Sequence, residues 1–251
     1  MAYNINLDEF SITLGISTDR LVANLSTYGV MSEIFPVLEV EGCKAGLFGD
    51  TALNKIYFGK KQRLSYDLDI FAYSYKNAIK ILLDHGAKIS YSGTFPKSKT
   101  IIATRMQYKN VILDVVDAKD LKENPKKLQA YDLLYFYNQL VPPVVVPSYT
   151  IDYLLAEKTV AMLDRNELKD IYDTWVGTRL LNNGDSYANY LKEIARKRKI
   201  KDIVAYSDFH IHNMLSNSEY YEKKHIEVLS QPSASIMLKD IKTYIHTLME
   251  T

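Results

Sequence analysis

The stretch "RLSYDLDIF", residues 63 to 71, sets two acids, Asp67 and Asp69, two positions apart inside a strand-like alternation. Strand side chains change face at every residue. Leu64, Tyr66, Leu68 and Ile70 therefore fall on one side, and Ser65, Asp67, Asp69 and Phe71 on the other. The first side asks for a core. The second carries two carboxylates whose α-carbons stand about 6.6 Å apart, two strand rises of about 3.3 Å each. At that spacing their oxygens converge on one divalent cation, and without a counter-charge the pair is repulsive.

The segments on either side supply neighbours for this strand. Residues 18 to 35, "TDRLVANLSTYGVMSEIF", carry apolar residues at helical spacing behind Thr18 or Asp19 and predict one or two helices. A short strand around Ala45 to Phe48 runs into Gly49, and "TALNKIYF" starts a helix at about Thr51. Residues 75 to 85 suit an amphipathic helix ended by Gly86. After it, "KISYSG", "TIIATRMQY" and "VILDVVD" read as three strands, the last two joined across Lys109 and Asn110 as a hairpin. Proline then punctuates: "VPPVVVP", 141 to 147, fits an edge strand or a linker. From Ser148 onward the pattern is mainly helical. The expected organisation is α+β: a domain over 1–147 with a mixed sheet and amino-terminal helices, then a mainly helical domain over 148–251 that completes a cleft.

Asp114, in "NVILDVVDA", interrupts an apolar run in which an unpaired charge is costly to bury. It needs a cation or a donor, or an edge position facing water. If its strand lies beside the first, Asp67, Asp69 and Asp114 form a carboxylate cluster of the kind that holds metal ions for an in-line phosphoryl displacement. In "FGDTALNK", a glycine just before a helix lets backbone approach a ligand, and the first-turn N–H groups favour phosphate. Lys158 sits within the apolar stripe of Ile151, Leu154, Leu155 and Met162, so it must snorkel outward or meet a negative partner. In "DRNELKDIYDTW", Leu168, Ile171 and Trp175 form a buried stripe and leave Asp170 and Asp173 on another face. That face is either solvated or turned to the same cleft as Lys158.

Composition narrows the partners. Lys and Arg number 31 against 30 Asp and Glu, a net charge of +1, so nucleic acid must be met by a local patch and not by a whole-molecule field. Such a patch is at hand in Lys192, Arg196, Lys197, Arg198, Lys199 and Lys201, although a solvated helix reads the same way. His210 and His212 would make a metal pair only on a strand, and no third ligand lies near in sequence. The single cysteine, Cys43, excludes an intramolecular disulfide and a Cys-based zinc site and fits a reducing compartment. The start "MAYNINLDEF" has no basic region followed by an apolar one, and no run approaches the roughly 20 apolar residues of a membrane helix. A cytoplasmic protein without membrane partners is expected.

Taken in order, these segments resemble the AbiEii/AbiGii toxin family of nucleotidyltransferases, a branch of the polymerase-β-like superfamily. That family looks like Gly-Gly-Thr-x-Leu at a turn, Arg-x-Ser-x-Asp-x-Asp on a strand, an Asp on a later strand, an Ala-Glu-Lys helix and an Arg-Asp-x-x-Asp helix. Here the turn is Gly49-Asp50-Thr51-Ala52-Leu53 and the strand Arg63-Leu64-Ser65-Tyr66-Asp67-Leu68-Asp69. Asp114 fits the later acid, Ala156-Glu157-Lys158 the lysine helix, and Lys169-Asp170-Ile171-Tyr172-Asp173 the last motif.

The resemblance implies transfer of a nucleoside monophosphate from an NTP to an acceptor, with Mg²⁺ or Mn²⁺ as cofactor. Asp67 and Asp69 would bind the metal. Asp114 would complete the metal site or help the acceptor hydroxyl. Gly49, Thr51, Arg63 and Ser65 would line the nucleotide site, Lys158 would contact phosphate, and Asp173 would activate or position the acceptor. In such a family the protein is often the toxin of a toxin–antitoxin or phage-defence pair, with an antitoxin as partner and tRNA, another RNA or protein as acceptor. A small-molecule (antibiotic-type) acceptor, or a catalytically weak nucleotide- or partner-binding module, are the alternatives. Two departures bear on this. Asp50 puts a carboxylate where triphosphate oxygens approach, and Lys169 stands where the motif has arginine, the better bidentate partner.

Overall fold

The computed structural model describes residues 6–94, 102–119, 124–138, 141–182, 184–224, 226, 228 and 231–249. The chain separates into two compact units, Met1–Tyr149 and Thr150–Thr251.

The first unit begins with α1 (Leu7–Leu14) and α2 (Thr18–Val40). Sequence spacing allowed two helices over 18–35, and one long helix forms. Its inner stripe, Leu21, Asn24, Tyr28, Met31, Phe35 and Leu38, advances by alternating steps of three and four, the helical period. Next come β1 (Ala45–Leu47), α3 (Gly49–Ala52), which passes into a π-helical turn over Leu53–Tyr57, and β2 (Asp67–Ala72). The helix thus starts two residues before Thr51, and the strand starts at Asp67 and not at residue 63. Then follow α4 (Tyr75–Asp84), β3 (Lys88–Thr94), β4 (Ile102–Tyr108), β5 (Val111–Asp117), β6 (Lys126–Ala130), α5 (Tyr135–Asn138) and β7 (Val144–Ser148).

The seven strands form one mixed sheet in the order β3-β4-β5-β2-β1-β7-β6. β5 runs parallel to β2, and β1 antiparallel to β2 and parallel to β7. Leu68, Ile70, Leu113 and Val115 are fully buried, and α2 and α4 pack against β2 and β5. The opposite face holds Asp67, Asp69, Phe71, Asp114 and Val116 in the alternate positions. Two strands depart from expectation. β6 gave no apolar alternation because its burial is confined to Ala130 and half of Leu128. β7, expected as an edge strand or a linker because of its prolines, lies between β1 and β6. Its ladder to β1 is a single pair, Leu47 with Ser148, so Pro147 removes no bond that the sheet uses there.

The second unit is helical: α6 (Ile151–Arg165), α7 (Leu168–Thr178), α8 (Gly184–Lys197), α9 (Ile203–Ser216), α10 (Ser218–Glu222) and α11 (Ala234–Met249). α6 ends on Asn166 in the left-handed region, φ 56°, and α7 starts two residues later, so the two helices fold back on each other. Against the expectation that no run approaches membrane-helix length, α2 is, among the described residues, the one helix long and apolar enough to cross a membrane by length and composition, and half of that apolar window is buried within the protein.

Candidate active site

The acids of β2 and β5 meet through strand register. Asp69 stands directly beside Asp114, and Asp67 beside Ile112, so the three carboxylates share the face opposite α2 and α4. Asp67 and Asp69 are half-buried. Asp114 is 2% exposed, which excludes the water-facing edge position. Its two oxygens accept from Arg105 of β4, Nε to Oδ1 at 2.8 Å and Nη2 to Oδ2 at 2.7 Å. That hydrogen bonding raises the guanidinium's pKa above its ordinary value against the effect of partial burial, and the charges of Asp114, Asp67 and Asp69 add to it.

Arg105 is the residue sequence reasoning missed. The signal lay in the hairpin: a two-residue turn at Lys109 and Asn110 pairs Tyr108 with Val111, and stepping outward from there pairs Arg105 with Asp114. Among the described residues, no group of three His, Cys, Asp or Glu side chains is arranged to hold one metal ion. His210 and His212 lie on a helix, α9, where two residues apart means opposite-leaning faces.

The turn before α3 builds the other wall. Thr51 Oγ1 donates toward Asp69 Oδ2 at 3.3 Å and Asp67 O at 3.2 Å, and Ser65 Oγ reaches Asp67 Oδ1 at 3.3 Å. Gly49 adopts φ +60°, and a Cβ there would lie 2.6 Å from Asp69 Oδ2. Only glycine leaves that carboxylate its place. Asp50, expected to intrude where triphosphate approaches, is tied down by an ion pair with Arg63. The Arg63 backbone N–H also donates to Asn54 Oδ1 at 2.8 Å, and Asn54 Nδ2 donates to Asp50 O at 2.9 Å. Arg63 thus staples the turn to the segment that leads into β2.

Beneath this segment lies a buried polar knot that no sequence pattern announced. Lys55 Nζ donates to Asn24 Oδ1 at 2.7 Å and pairs with Asp132 at 3.2 Å, while Asn24 Nδ2 donates to Asp132 Oδ2 at 2.6 Å. The Ser65 N–H also points at Asn24 Oδ1, 3.3 Å away. Burial pulls the Lys55 pKa down, opposed by Asp132.

In the second unit Lys158 has met negative partners. Its Nζ lies 2.6 Å from Asp170 Oδ1 and 3.0 Å from Asp173 Oδ2. Lys158 is 7% exposed and both acids are fully buried, which excludes the solvated alternative for Asp170 and Asp173. α7 is buried on nearly every side; its two half-exposed members are Lys169 and Trp175, the latter expected inside. Burial acts to raise the Asp170 pKa, but Lys158, aided by Arg165 and Lys169, holds the carboxyl below the usual range. Asp170 Oδ2 and Thr174 Oγ1 remain buried without a hydrogen-bond partner. Of the basic run, Arg198 turns to Glu157 and Asp164, whereas Lys192, Arg196, Lys197, Lys199 and Lys201 stay exposed. Four of them line a hollow of about 470 Å³ with Ala195, Ile200 and Ile203.

The whole fold is similar to a solved structure, MenT4, a nucleotidyltransferase toxin from Mycobacterium tuberculosis H37Rv. The TM-score is 0.61 over 99% of this chain and 91% of that one, at 11% identity. No curated protein matches the chain. The family described as "Nucleotidyl transferase AbiEii toxin, Type IV TA system" matches residues 47–235, well over half of the chain, and the chain belongs to that family. It is a nucleotidyltransferase of the toxin type, a class whose substrate is a nucleoside triphosphate and whose type IV systems pair a toxin with an antitoxin.

Proposed function

We propose that this protein transfers a nucleoside monophosphate from an NTP to an RNA acceptor, as the toxin of a cytoplasmic toxin–antitoxin pair. The observation that carries the reading is the placement of Asp69. Its carboxylate shares a sheet face with Asp67, receives Thr51, and occupies a space that Gly49 alone leaves open. Two half-exposed carboxylates and a hydroxyl form a hard-oxygen donor set, which suits Mg²⁺ or Mn²⁺. Asp67 and Asp69 would hold the ion. When bound, it would neutralise charge on the transferring phosphate.

The chain's own groups do the rest. Thr51 and Ser65 orient the two carboxylates, and Arg63 fixes the turn they rest on. The backbone at Gly49 lets a triphosphate come close, and Asp50, neutralised by Arg63, no longer repels it. Lys158 and Asp173 are our second-unit candidates for the phosphate and acceptor contacts. A phosphate there must compete with Asp170, 2.6 Å from the ammonium. The exposed lysines and arginine of 192–201 favour a polyanionic acceptor over a small uncharged one.

The test is a transfer assay with each α-labelled NTP, Mg²⁺ or Mn²⁺, and total tRNA. Label should appear in RNA with the parent and vanish in Asp67→Ala and Asp69→Ala, both folded by circular dichroism. Equal labelling by parent and both variants would refute the site. Label on a small molecule or protein and none on RNA would refute the acceptor.

A further inference from the structure

Register across four strands lines up one row of side chains on the face opposite α2 and α4: Asp69 of β2, Asp114 of β5, Arg105 of β4 and Tyr91 of β3. Within it, burial is split unevenly. The Asp114 side chain is 3% exposed and that of Arg105 43%. The carboxylate is the buried anchor and the guanidinium is the end that meets solvent. Two parallel bonds hold the guanidinium's plane, which a single contact does not do.

We propose that Arg105 is a phosphate-binding residue of the transfer site and that Asp114 is its positioning residue. The inference rests on Asp67 and Asp69 being the metal-holding pair. A phosphate arriving beside those two acids would meet a third negative charge one strand further on, were Asp114 bare. Arg105 cancels that charge and presents N–H donors where a bare carboxylate would otherwise stand. A guanidinium carries its N–H donors in one rigid plane, and the Asp114 grip fixes the orientation of that plane. Its planar, always-charged fork suits two phosphate oxygens better than an ammonium does. The phosphate belongs either to the donor triphosphate or to the backbone of the acceptor RNA, and the two are separable.

The experiment is equilibrium binding to the full chain, with three probes: Mn²⁺ alone, a non-hydrolysable α,β-methylene NTP with Mg²⁺, and tRNA. The variants are Arg105→Gln, Arg105→Lys and Asp114→Asn, each checked for folding by urea unfolding. Losing a bidentate charged contact should weaken phosphate binding about tenfold or more. Arg105→Gln should show that loss with the NTP analogue while Mn²⁺ binds within about twofold of the parent. Arg105→Lys should recover only part of it, and Asp114→Asn should follow Arg105→Gln. If tRNA binding falls and analogue binding does not, the phosphate is the acceptor's and the assignment stands. Unchanged binding of both probes overturns it. So does an Asp114→Asn variant that loses Mn²⁺ as Asp69→Ala does, since Asp114 is then a metal ligand. Should Asp114→Asn fail to fold, Arg105→Lys against Arg105→Gln carries the decision. Failure of the underlying reading shows separately, as unaltered Mn²⁺ binding in Asp69→Ala.

Discussion

Replacing Gly49 by alanine separates a backbone cost from a site cost. The residue adopts φ +60°, where an L side chain is penalised by about 1–2 kcal/mol. The new Cβ would also sit 2.6 Å from Asp69 Oδ2 and 3.0 Å from its Cγ, whereas ordinary contact begins at 3.4 Å. The carboxylate must therefore retreat by about 0.8 Å, more than the roughly 0.5 Å within which a working site is held. Displacements near 1 Å cost about a hundredfold in rate.

Gly49→Ala should thus lose about 1–2 kcal/mol in urea unfolding, bind Mn²⁺ at least tenfold more weakly, and transfer label about a hundredfold more slowly. Gly15→Ala is the control. Its φ is +65° with nothing within 4 Å of a built Cβ, so it should show the stability loss and keep Mn²⁺ binding. If Gly49→Ala binds Mn²⁺ as tightly as Gly15→Ala does, the contact with Asp69 is not what demands glycine, and the reasoning fails.

Other consequences concern the second unit. Lys158→Met leaves Asp170 and Asp173 buried without that ammonium and should cost about 3–5 kcal/mol in urea unfolding, most of it regained when both acids become asparagine. A cost under about 1 kcal/mol would show the cluster to be energetically idle, and any activity lost in Lys158 variants would then belong to chemistry. The depressed Asp170 pKa gives a pH signature. A carboxyl lowered in the folded state contributes stability above its unfolded pKa of about 3.9 and loses it as pH falls through the lower folded value. Asp170→Asn should flatten the acid limb of stability measured between about pH 2 and 6; an unchanged slope below about pH 4 would contradict the assignment.

Much of the first half of the site was legible because strands write their faces into sequence. The alternation holds from Asp67 to Ile70 in β2 and the charge inside "VILDVVD" sits in β5, whereas Tyr66, assigned to the core side, precedes the strand and is 40% exposed. Their adjacency, and the place of Arg105, are properties of strand order and register, which only the hairpin hinted at. α7 misled for the opposite reason. An amphipathic pattern was read where the helix is buried nearly all round, because Lys158 supplies in space the charge that makes Asp170 and Asp173 tolerable inside. The knot at Lys55 was invisible because its members, Asn24, Lys55 and Asp132, are separated by 31 and 77 residues.

That knot has a bearing on how much of the chain the enzyme needs. The family match begins at residue 47, yet Asn24 on α2 accepts from both Lys55 and the Ser65 N–H, two residues before Asp67. A fragment trimmed to the matched region would strand the ammonium of Lys55 and the carboxylate of Asp132 beside a hole, and would strip α2 from the apolar face of the sheet. The helix ahead of the matched region therefore belongs to the scaffold under the proposed metal-holding strand, and a fragment that lacks it should lose that support.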